Sequence, residues 1–459
     1  MSFRRHFYPA ICLVYGLGFI ALGIVFLCMR EFVLDYAAYF GGIIMIIHGV
    51  YTLLRCFARR AVLQKLGMGN MIFTGIVNVA GGIVTILAPI IAKSFVYIFF
   101  ALYMLFNALL NIIDVYVQGK NGTKGRWVGA VLSFIYFVCA LTMVLLPEIG
   151  TSGFLIICGC YCIVYGATFV LDFVVQVVPQ QATKNHRRRR ILSPTVFNFL
   201  MPLRKMKEDK VEMYSVEKGL PKEPITFFPE GKETDVPPDV EIVIHVSDDG
   251  VGKMGHCDVV FEGEILSYGS YDVSTITLFG GLGDGVFFIS NRRDYYPFAV
   301  RHDHKTLFAY GLRLTPEQKQ KVKEEIDNIK SNLVEWASPL ERAMRENPDA
   351  KLEDYDDFGS QVWCDTGAQF YKFKEGKFKT YFVLTTNCVL LADKIIAPTG
   401  MDDVTPNGIM TPGAYYEFLE RQLAMKDSMV FCKTVYNKEN TADWVAPVPK
   451  AGVGDWHRC

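Results

Sequence analysis

One cysteine in the C-terminal half of the sequence has the setting of a catalytic nucleophile. Cys388 follows Asn387 and precedes an apolar run, residues 389–396, whose spacing predicts a helix that begins at the cysteine. The unpaired N–H groups and the positive dipole end of a helix stabilise a thiolate and lower the pKa of the thiol. The same N–H groups, with Asn387 beside them as a positioning residue, could bind the oxyanion of a tetrahedral intermediate.

A histidine far upstream offers the matching base. His256 is predicted to open a strand of a β-hairpin, whose tight turn is Glu262-Gly263. A histidine at the start of a strand and a cysteine at the start of a helix can meet in space although they are distant in sequence. An adjacent imidazole activates a thiol, so this pair predicts attack on the carbonyl of an amide, ester or thioester.

These residues also have non-catalytic interpretations. A free cysteine is often a small buried hydrophobe, and that reading stays open for Cys388. A metal site is not predicted, because His256 and Cys257 point to opposite faces of a strand. No closely spaced Cys or His pair indicates structural zinc. The glycine-rich segment 280–285 lacks the Lys-Ser/Thr of a phosphate loop. We therefore predict neither metal nor cofactor.

The order of histidine before cysteine resembles the circularly permuted branch of the NlpC-type papain-like superfamily, which includes lecithin:retinol acyltransferase-like enzymes. The matching features are Gly255-His256, the hairpin ending at 267–272, and Asn387-Cys388 before an apolar helix. The likeness covers about residues 240–425. It implies a papain-like α+β fold in which Cys388 is the nucleophile and His256 is the general base.

The same resemblance implies a third polar residue that orients the imidazole. The position about twelve residues after the histidine is Tyr268, where the family has a histidine, an asparagine or an acid. Ser267 and Asp272 are the alternatives for this role, and the sequence does not decide among the three.

The first 180 residues have the composition of membrane helices. A span needs about 20 apolar residues, and six stretches qualify, at roughly 9–29, 32–54, 71–92, 94–117, 127–147 and 152–178. The second, fourth and sixth stretches end alike, at residues 49–55, 108–114 and 166–172, which indicates three helical hairpins. Small residues such as Gly42 and Gly82 are predicted to let these helices approach closely.

This three-hairpin pattern resembles the HdeD-like family of small six-helix membrane proteins, some of which are linked to acid resistance. The likeness covers residues 9–178 and brings no catalytic motif. A transporter is a further hypothesis for this half. It would require polar residues that converge between the helices.

The distribution of basic residues predicts the orientation. Lys and Arg concentrate at the N-terminus, in the connections 55–65 and 120–126, and in the tail 184–190, so both termini are predicted to face the cytoplasm. The run Arg187–Arg190 then fits contact with anionic lipid. Lys plus Arg equals Asp plus Glu, at 47 each, which argues against a nucleic-acid partner. On the cytoplasmic side the cysteines are expected to stay reduced.

Three segments follow from these patterns: a six-transmembrane-helix domain at 1–180, a cytoplasmic linker at 181–239, and a papain-like α+β domain with an antiparallel sheet at 240–459. Within the last, we predict a strand at 241–246, a helix at 316–335 capped by Thr315, and a second hairpin at 370–384.

The predicted function is that of an integral membrane thiol hydrolase or acyltransferase with its catalytic domain in the cytoplasm. The lipid bilayer is one partner, and an acyl or peptide substrate of unknown identity is the other. The alternative is a non-catalytic multi-pass membrane stress or scaffold protein whose soluble domain binds a partner. Homo-oligomerisation is open.

Overall fold

The computed structural model describes residues 2–58, 68–123, 126–177, 188–191, 224–229, 231–247, 255–301, 305–404, 411–425 and 428–437. The chain divides into two compact units. The helical unit comprises Ile11–Val115 and Gly125–Leu171. The sheet unit comprises Met1–Ala10, Tyr116–Lys124 and Asp172–Cys459.

The described part of the N-terminal region contains six apolar helices: α1 (Ser2–Cys28), α2 (Arg30–Ala58), α3 (Met68–Leu87), α4 (Pro89–Lys120), α5 (Arg126–Leu145) and α6 (Pro147–Val177). Within the described residues, four segments are long and apolar enough to cross a membrane: Ala38–Cys56, Tyr97–Lys120, Arg126–Leu145 and Ser152–Leu171. Two shorter apolar segments, Cys12–Cys28 and Ile72–Leu87, lie in α1 and α3. Large apolar side chains such as Ile44 and Ile47 are more than 60% exposed, as lipid-facing residues are.

Small residues bring neighbouring helices of this unit into backbone contact. A Cβ atom added to Gly82 of α3 would lie 2.6 Å from the carbonyl oxygen of Gly42 of α2. One added to Gly166 of α6 would lie 2.6 Å from the carbonyl oxygen of Gly16 of α1. Such distances admit no side chain, so the predicted role of the small residues is confirmed.

The third contact of this kind uses a hydroxyl. Ser133 of α5 is buried and donates a hydrogen bond to the carbonyl oxygen of Ala108 of α4, at 2.8 Å. The helix pairs α2–α3, α4–α5 and α6–α1 therefore each meet through small residues.

Thirteen strands are present in the described residues: β1 (Arg188–Ile191), β2 (Ile225–Phe227), β3 (Val240–Val246), β4 (His256–Phe261), β5 (Glu264–Gly269), β6 (Leu282–Asp284), β7 (Val286–Asn291), β8 (Thr306–Leu312), β9 (Leu333–Glu335), β10 (Gln369–Phe373), β11 (Thr380–Phe382), β12 (Met401–Val404) and β13 (Val430–Tyr436). Nine of them form one antiparallel sheet in the order β2-β13-β8-β3-β4-β5-β7-β10-β9. Two small pairs complete the set, β1 parallel to β12 and β11 antiparallel to β6.

Helices cover both faces of this sheet. They are α7 (Arg292–Arg301), α8 (Pro316–Ser331), α9 (Pro339–Glu346), α10 (Phe358–Thr366), α11 (Cys388–Ile396) and α12 (Pro412–Ala424). Side chains of α8, α11 and α12 pack on one face, and those of α7, α9 and α10 pack on the other. The central strands β3, β8 and β13 are accordingly buried at every position. This explains their nearly unbroken apolar sequences.

Several local predictions are confirmed. The strand at 241–246 is present, and the β4–β5 hairpin turns at Glu262 and Gly263, both with positive φ. Thr315 caps α8 in a capping box with Gln318. That helix ends at Ser331 rather than 335, because the chain turns at Asn332 into the strand β9.

Other predictions are wrong. No second hairpin forms at 370–384, because β11 pairs with β6 and not with β10. The strand β2, inside the segment predicted as linker, joins the sheet as the partner of β13. Cys364 is disulfide-bonded, contrary to the expectation of reduced cysteines.

Candidate functional site

The predicted junction before Cys388 is confirmed. Cys388 is the first residue of α11, and Asn387 caps that helix by accepting a hydrogen bond from the Leu390 amide at 3.1 Å. The Asn387 amide donates to the carbonyl oxygen of Val383 at 2.8 Å, which holds the preceding turn. Asn387 is therefore a helix cap, as its residue type favours, and its side chain serves to position Cys388.

His256 is the first residue of β4, and one ring nitrogen has three polar neighbours. Its Nε2 lies 2.9 Å from Asp258 Oδ1, 3.1 Å from Ser267 Oγ and 3.3 Å from the hydroxyl of Tyr271. The side chain is 19% exposed. With Nε2 engaged in this way, Nδ1 is the nitrogen left for other partners.

Cys388 is close enough to His256 for its charge to act on the pKa of the imidazole. Burial alone would lower the pKa of His256, but the charges of Cys388 and Asp258, with hydrogen bonds to both, raise that pKa to about 10. A raised histidine pKa beside a cysteine is the electrostatic condition for a thiolate–imidazolium pair. The structure thus brings together the two residues that the sequence singled out.

Asp258 supplies the charge behind the imidazole. Its side chain is fully buried. Burial would raise the pKa of Asp258, yet His256 and His245 hold it well below its usual range. Asp258 lies two residues after His256 on the same strand, so both side chains point to one face. A buried carboxylate that contacts the imidazole favours the imidazolium over the neutral ring.

Two of the three candidates for an orienting residue have hydrogen bonds elsewhere. The Tyr268 hydroxyl donates to the carbonyl oxygen of Phe378 at 2.9 Å. Asp272 accepts hydrogen bonds from Lys372 at 2.6 Å and from the Ser274 hydroxyl at 2.6 Å. Neither is a hydrogen-bond partner of His256 Nε2 in the described residues, whereas Ser267 is.

Asp258 and Tyr271 were not among the site residues predicted from the sequence. The signal for Asp258 is the motif His-x-Asp in a predicted strand, because alternate residues of a strand share a face. Tyr271 had no such signal: it follows the end of β5, and its hydroxyl returns to within 3.0 Å of Ser267 Oγ. Only the path of the chain after β5 determines that contact.

The thiol lies in an enclosed aromatic environment. Cys388 is 3% exposed, and the rings of Tyr268, Tyr271 and Tyr381 are close enough to interact with it electrostatically. Burial raises the pKa of all three hydroxyls well above the ordinary value, so they are neutral donors.

A separate groove of about 850 Å³ lies nearby, lined among others by Ile329, Phe373, Leu390 and Lys394. Neither Cys388 nor His256 lines it. Among the described residues, no group of three or more His, Cys, Asp or Glu side chains is arranged to hold a metal ion.

Comparison with known proteins bears on the helical region alone. A family model described as a short repeat of unknown function (DUF308) matches residues 14–73 and again residues 73–145. No curated protein matches the chain, and no solved structure does. The two adjacent matches confirm a repeat over residues 14–145, two of the three predicted copies, and agree with the resemblance to HdeD-like membrane proteins. The N-terminal helical region is therefore similar to this membrane repeat family.

Proposed function

We propose that the protein is a membrane-anchored thiol hydrolase or acyltransferase that acts through Cys388 and His256. The observation that carries the proposal is the electrostatic interaction of Cys388 with His256, whose imidazole also contacts the buried carboxylate of Asp258. A helix N-terminus at the sulfur and a carboxylate behind the ring both favour the thiolate–imidazolium state.

The chemistry follows from that ion pair. The Cys388 thiolate attacks the carbonyl carbon of an amide, ester or thioester, forms a C–S bond and places the negative charge on the carbonyl oxygen. When the tetrahedral intermediate collapses, the bond to the leaving group breaks, and the His256 imidazolium gives it a proton. His256 then takes a proton from water or from an acceptor nucleophile, which attacks the thioester and releases Cys388.

The fold of the sheet unit and the orientation of the chain in the membrane are also part of the proposal. The antiparallel sheet with a cysteine at a helix N-terminus and a histidine on a neighbouring strand supports the papain-like resemblance. If the six apolar helices all span the membrane, the distribution of Lys and Arg supports an orientation with both termini and the catalytic unit on the cytoplasmic side. A membrane-borne acyl group or a peptide near the membrane is the substrate class that such an anchor favours.

The pH dependence of Cys388 alkylation tests the proposal. We would treat the full chain in detergent with iodoacetamide across a range of pH and locate the label by peptide mass spectrometry. The comparison is between wild type, Cys388→Ser and His256→Ala. Cys257 and Cys432 are matched controls, because burial raises the pKa of both thiols.

We expect rapid labelling of Cys388 below pH 7 in wild type and slower labelling in His256→Ala. The His256→Ala midpoint should rise toward the ordinary thiol value of about 8.5. A wild-type midpoint already at that value, unchanged in His256→Ala, would overturn the enzyme proposal.

A second candidate function rests on the burial of the thiol. Cys388 is 3% exposed and packs within an apolar cluster, as a structural cysteine does. That observation favours a membrane scaffold protein whose sheet unit binds a partner. Slow labelling of Cys388 at every pH, with the fold intact, would support this function instead.

A further inference from the structure

A second buried histidine lies next to the carboxylate of Asp258. His245 of β3 is the cross-strand partner of His256 of β4, and their ring centroids are 5.6 Å apart. His245 Nε2 lies 2.9 Å from Asp258 Oδ2, while His256 Nε2 lies 2.9 Å from Oδ1. The carboxylate of Asp258 is therefore held between two imidazoles.

His245 has no other evident role. The side chain is 1% exposed, and among the described residues neither ring nitrogen meets hydrogen-bond geometry. At 2.9 Å the Nε2–Oδ2 pair is at hydrogen-bond distance but outside hydrogen-bond angles. Burying the polar nitrogens of an imidazole costs desolvation free energy unless another interaction compensates for it. The nearest group that can do so is the carboxylate of Asp258.

The groups that face His245 come from three parts of the chain. His256 and Asp258 lie on β4, the Tyr295 ring of α7 is 5.9 Å away, and Lys305 precedes β8. Burial lowers the pKa of His245, against the opposing effect of Asp258. The ring is consequently neutral near pH 7, and its dipole can support the carboxylate without cancelling its charge.

We infer that His245 is a positioning residue for the Cys388–His256 pair, acting through Asp258. Its Nε2 lies 2.9 Å from one carboxylate oxygen, Oδ2, while the other oxygen, Oδ1, faces the imidazole of His256. This inference rests on the proposed thiol chemistry. It names a residue that touches neither the sulfur nor a substrate.

The test compares the midpoint of Cys388 alkylation in His245→Phe and His245→Gln, using the full chain in detergent. Phenylalanine keeps a ring of similar size but removes the ring nitrogens. The pH midpoint of Cys388 alkylation should therefore rise by about one unit, because a polar neighbour shifts a pKa by about that much. Glutamine restores an N–H near Oδ2, so its midpoint should stay near that of wild type.

Two further variants separate a positioning role from a structural one. Ile242→Ala, in the same strand and fully buried, should lower the unfolding temperature without moving the midpoint. In an Asp258→Asn background, His245→Phe should cause no further shift, because its effect passes through Asp258.

The outcomes are distinct. A wild-type midpoint that does not depend on His256 would overturn the proposed function itself. A midpoint that depends on His256 but not on His245→Phe would overturn only the role of His245. If His245→Phe shifts the alkylation midpoint further in the Asp258→Asn background, the proposed role of His245 is also overturned, because the effect does not then depend on the carboxylate.

Discussion

At the scale of single residues, the site is a balance between burial and paired charges. Burial disfavours a charged histidine, and the pKa of His256 is raised only because Cys388 and Asp258 outweigh that penalty. The folded chain therefore binds the His256 proton more tightly than the unfolded chain does. The resulting stabilisation is complete below the ordinary pKa of 6.5 and is lost as the pH rises toward about 10.

Removing either partner of His256 should lower its pKa. In wild type we expect the imidazole to titrate near pH 10, and in Cys388→Ser or Asp258→Asn to titrate lower, because one anion is lost in each. Histidine-labelled protein followed by NMR across pH measures this directly. Tyr268→Phe is the control, since its hydroxyl bonds to Phe378 and not to the imidazole. Unchanged titration in both test variants would contradict the electrostatic account.

At the scale of elements, close helix packing in the N-terminal region depends on which glycines face a neighbour. On α2, a Cβ added to Gly42 would lie 2.9 Å from the Gly82 carbonyl oxygen and 2.6 Å from Ile86, whereas one added to the adjacent Gly41 would meet nothing within 4 Å. Of these two adjacent glycines, Gly42 therefore packs against α3, whereas Gly41 faces open space. The difference is the rotation of about 100° between successive helix positions.

Gly42→Ala and Gly41→Ala should therefore change stability in opposite directions. Overpacking at Gly42 should cost about 1–3 kcal/mol. At Gly41, alanine should stabilise the helix by about 0.5–1 kcal/mol through reduced backbone entropy in the unfolded chain. Thermal unfolding of the two variants in detergent measures both. Equal shifts would show that α2 does not pack on α3 through Gly42.

At the scale of the whole molecule, the sheet unit is not one continuous stretch of chain. Residues Tyr116–Lys124 belong to it although they are far from the sheet in sequence. Asn121 is 6% exposed; its amide donates to the carbonyl oxygen of Lys377 at 2.9 Å and accepts from the hydroxyl of Thr380 at 2.7 Å. The segment before β11 is thus held in part by a distant connection.

Asn121→Ala should loosen residues 377–382. It leaves the buried hydroxyl of Thr380 and the carbonyl of Lys377 without this partner, at a cost of about 1–3 kcal/mol. Amide hydrogen exchange in this segment should therefore accelerate in the full chain. Lys120→Ala is the matched control: Lys120 is 46% exposed, and its ion pair with Asp284 should contribute little. Exchange that accelerates equally in both variants would contradict a specific role for Asn121.

Several features of the fold follow from local sequence patterns. Apolar length predicted the N-terminal helices, the apolar spacing after Asn387 predicted the helix that begins at Cys388, and the turn Glu262-Gly263 predicted the hairpin of His256. Each follows from neighbouring residues alone, so tertiary packing could not easily override it.

The contacts of each side chain, in contrast, depend on the tertiary fold. The pairing of β11 with β6 replaced an expected hairpin. The hydroxyl of Tyr268 turned to a backbone carbonyl, and the charge behind His256 came from Asp258. These outcomes depend on strand order and register, which bring His245, Asp258 and His256 to one face of the sheet. Such contacts join residues through space, and the local spacing of a sequence carries little information about them.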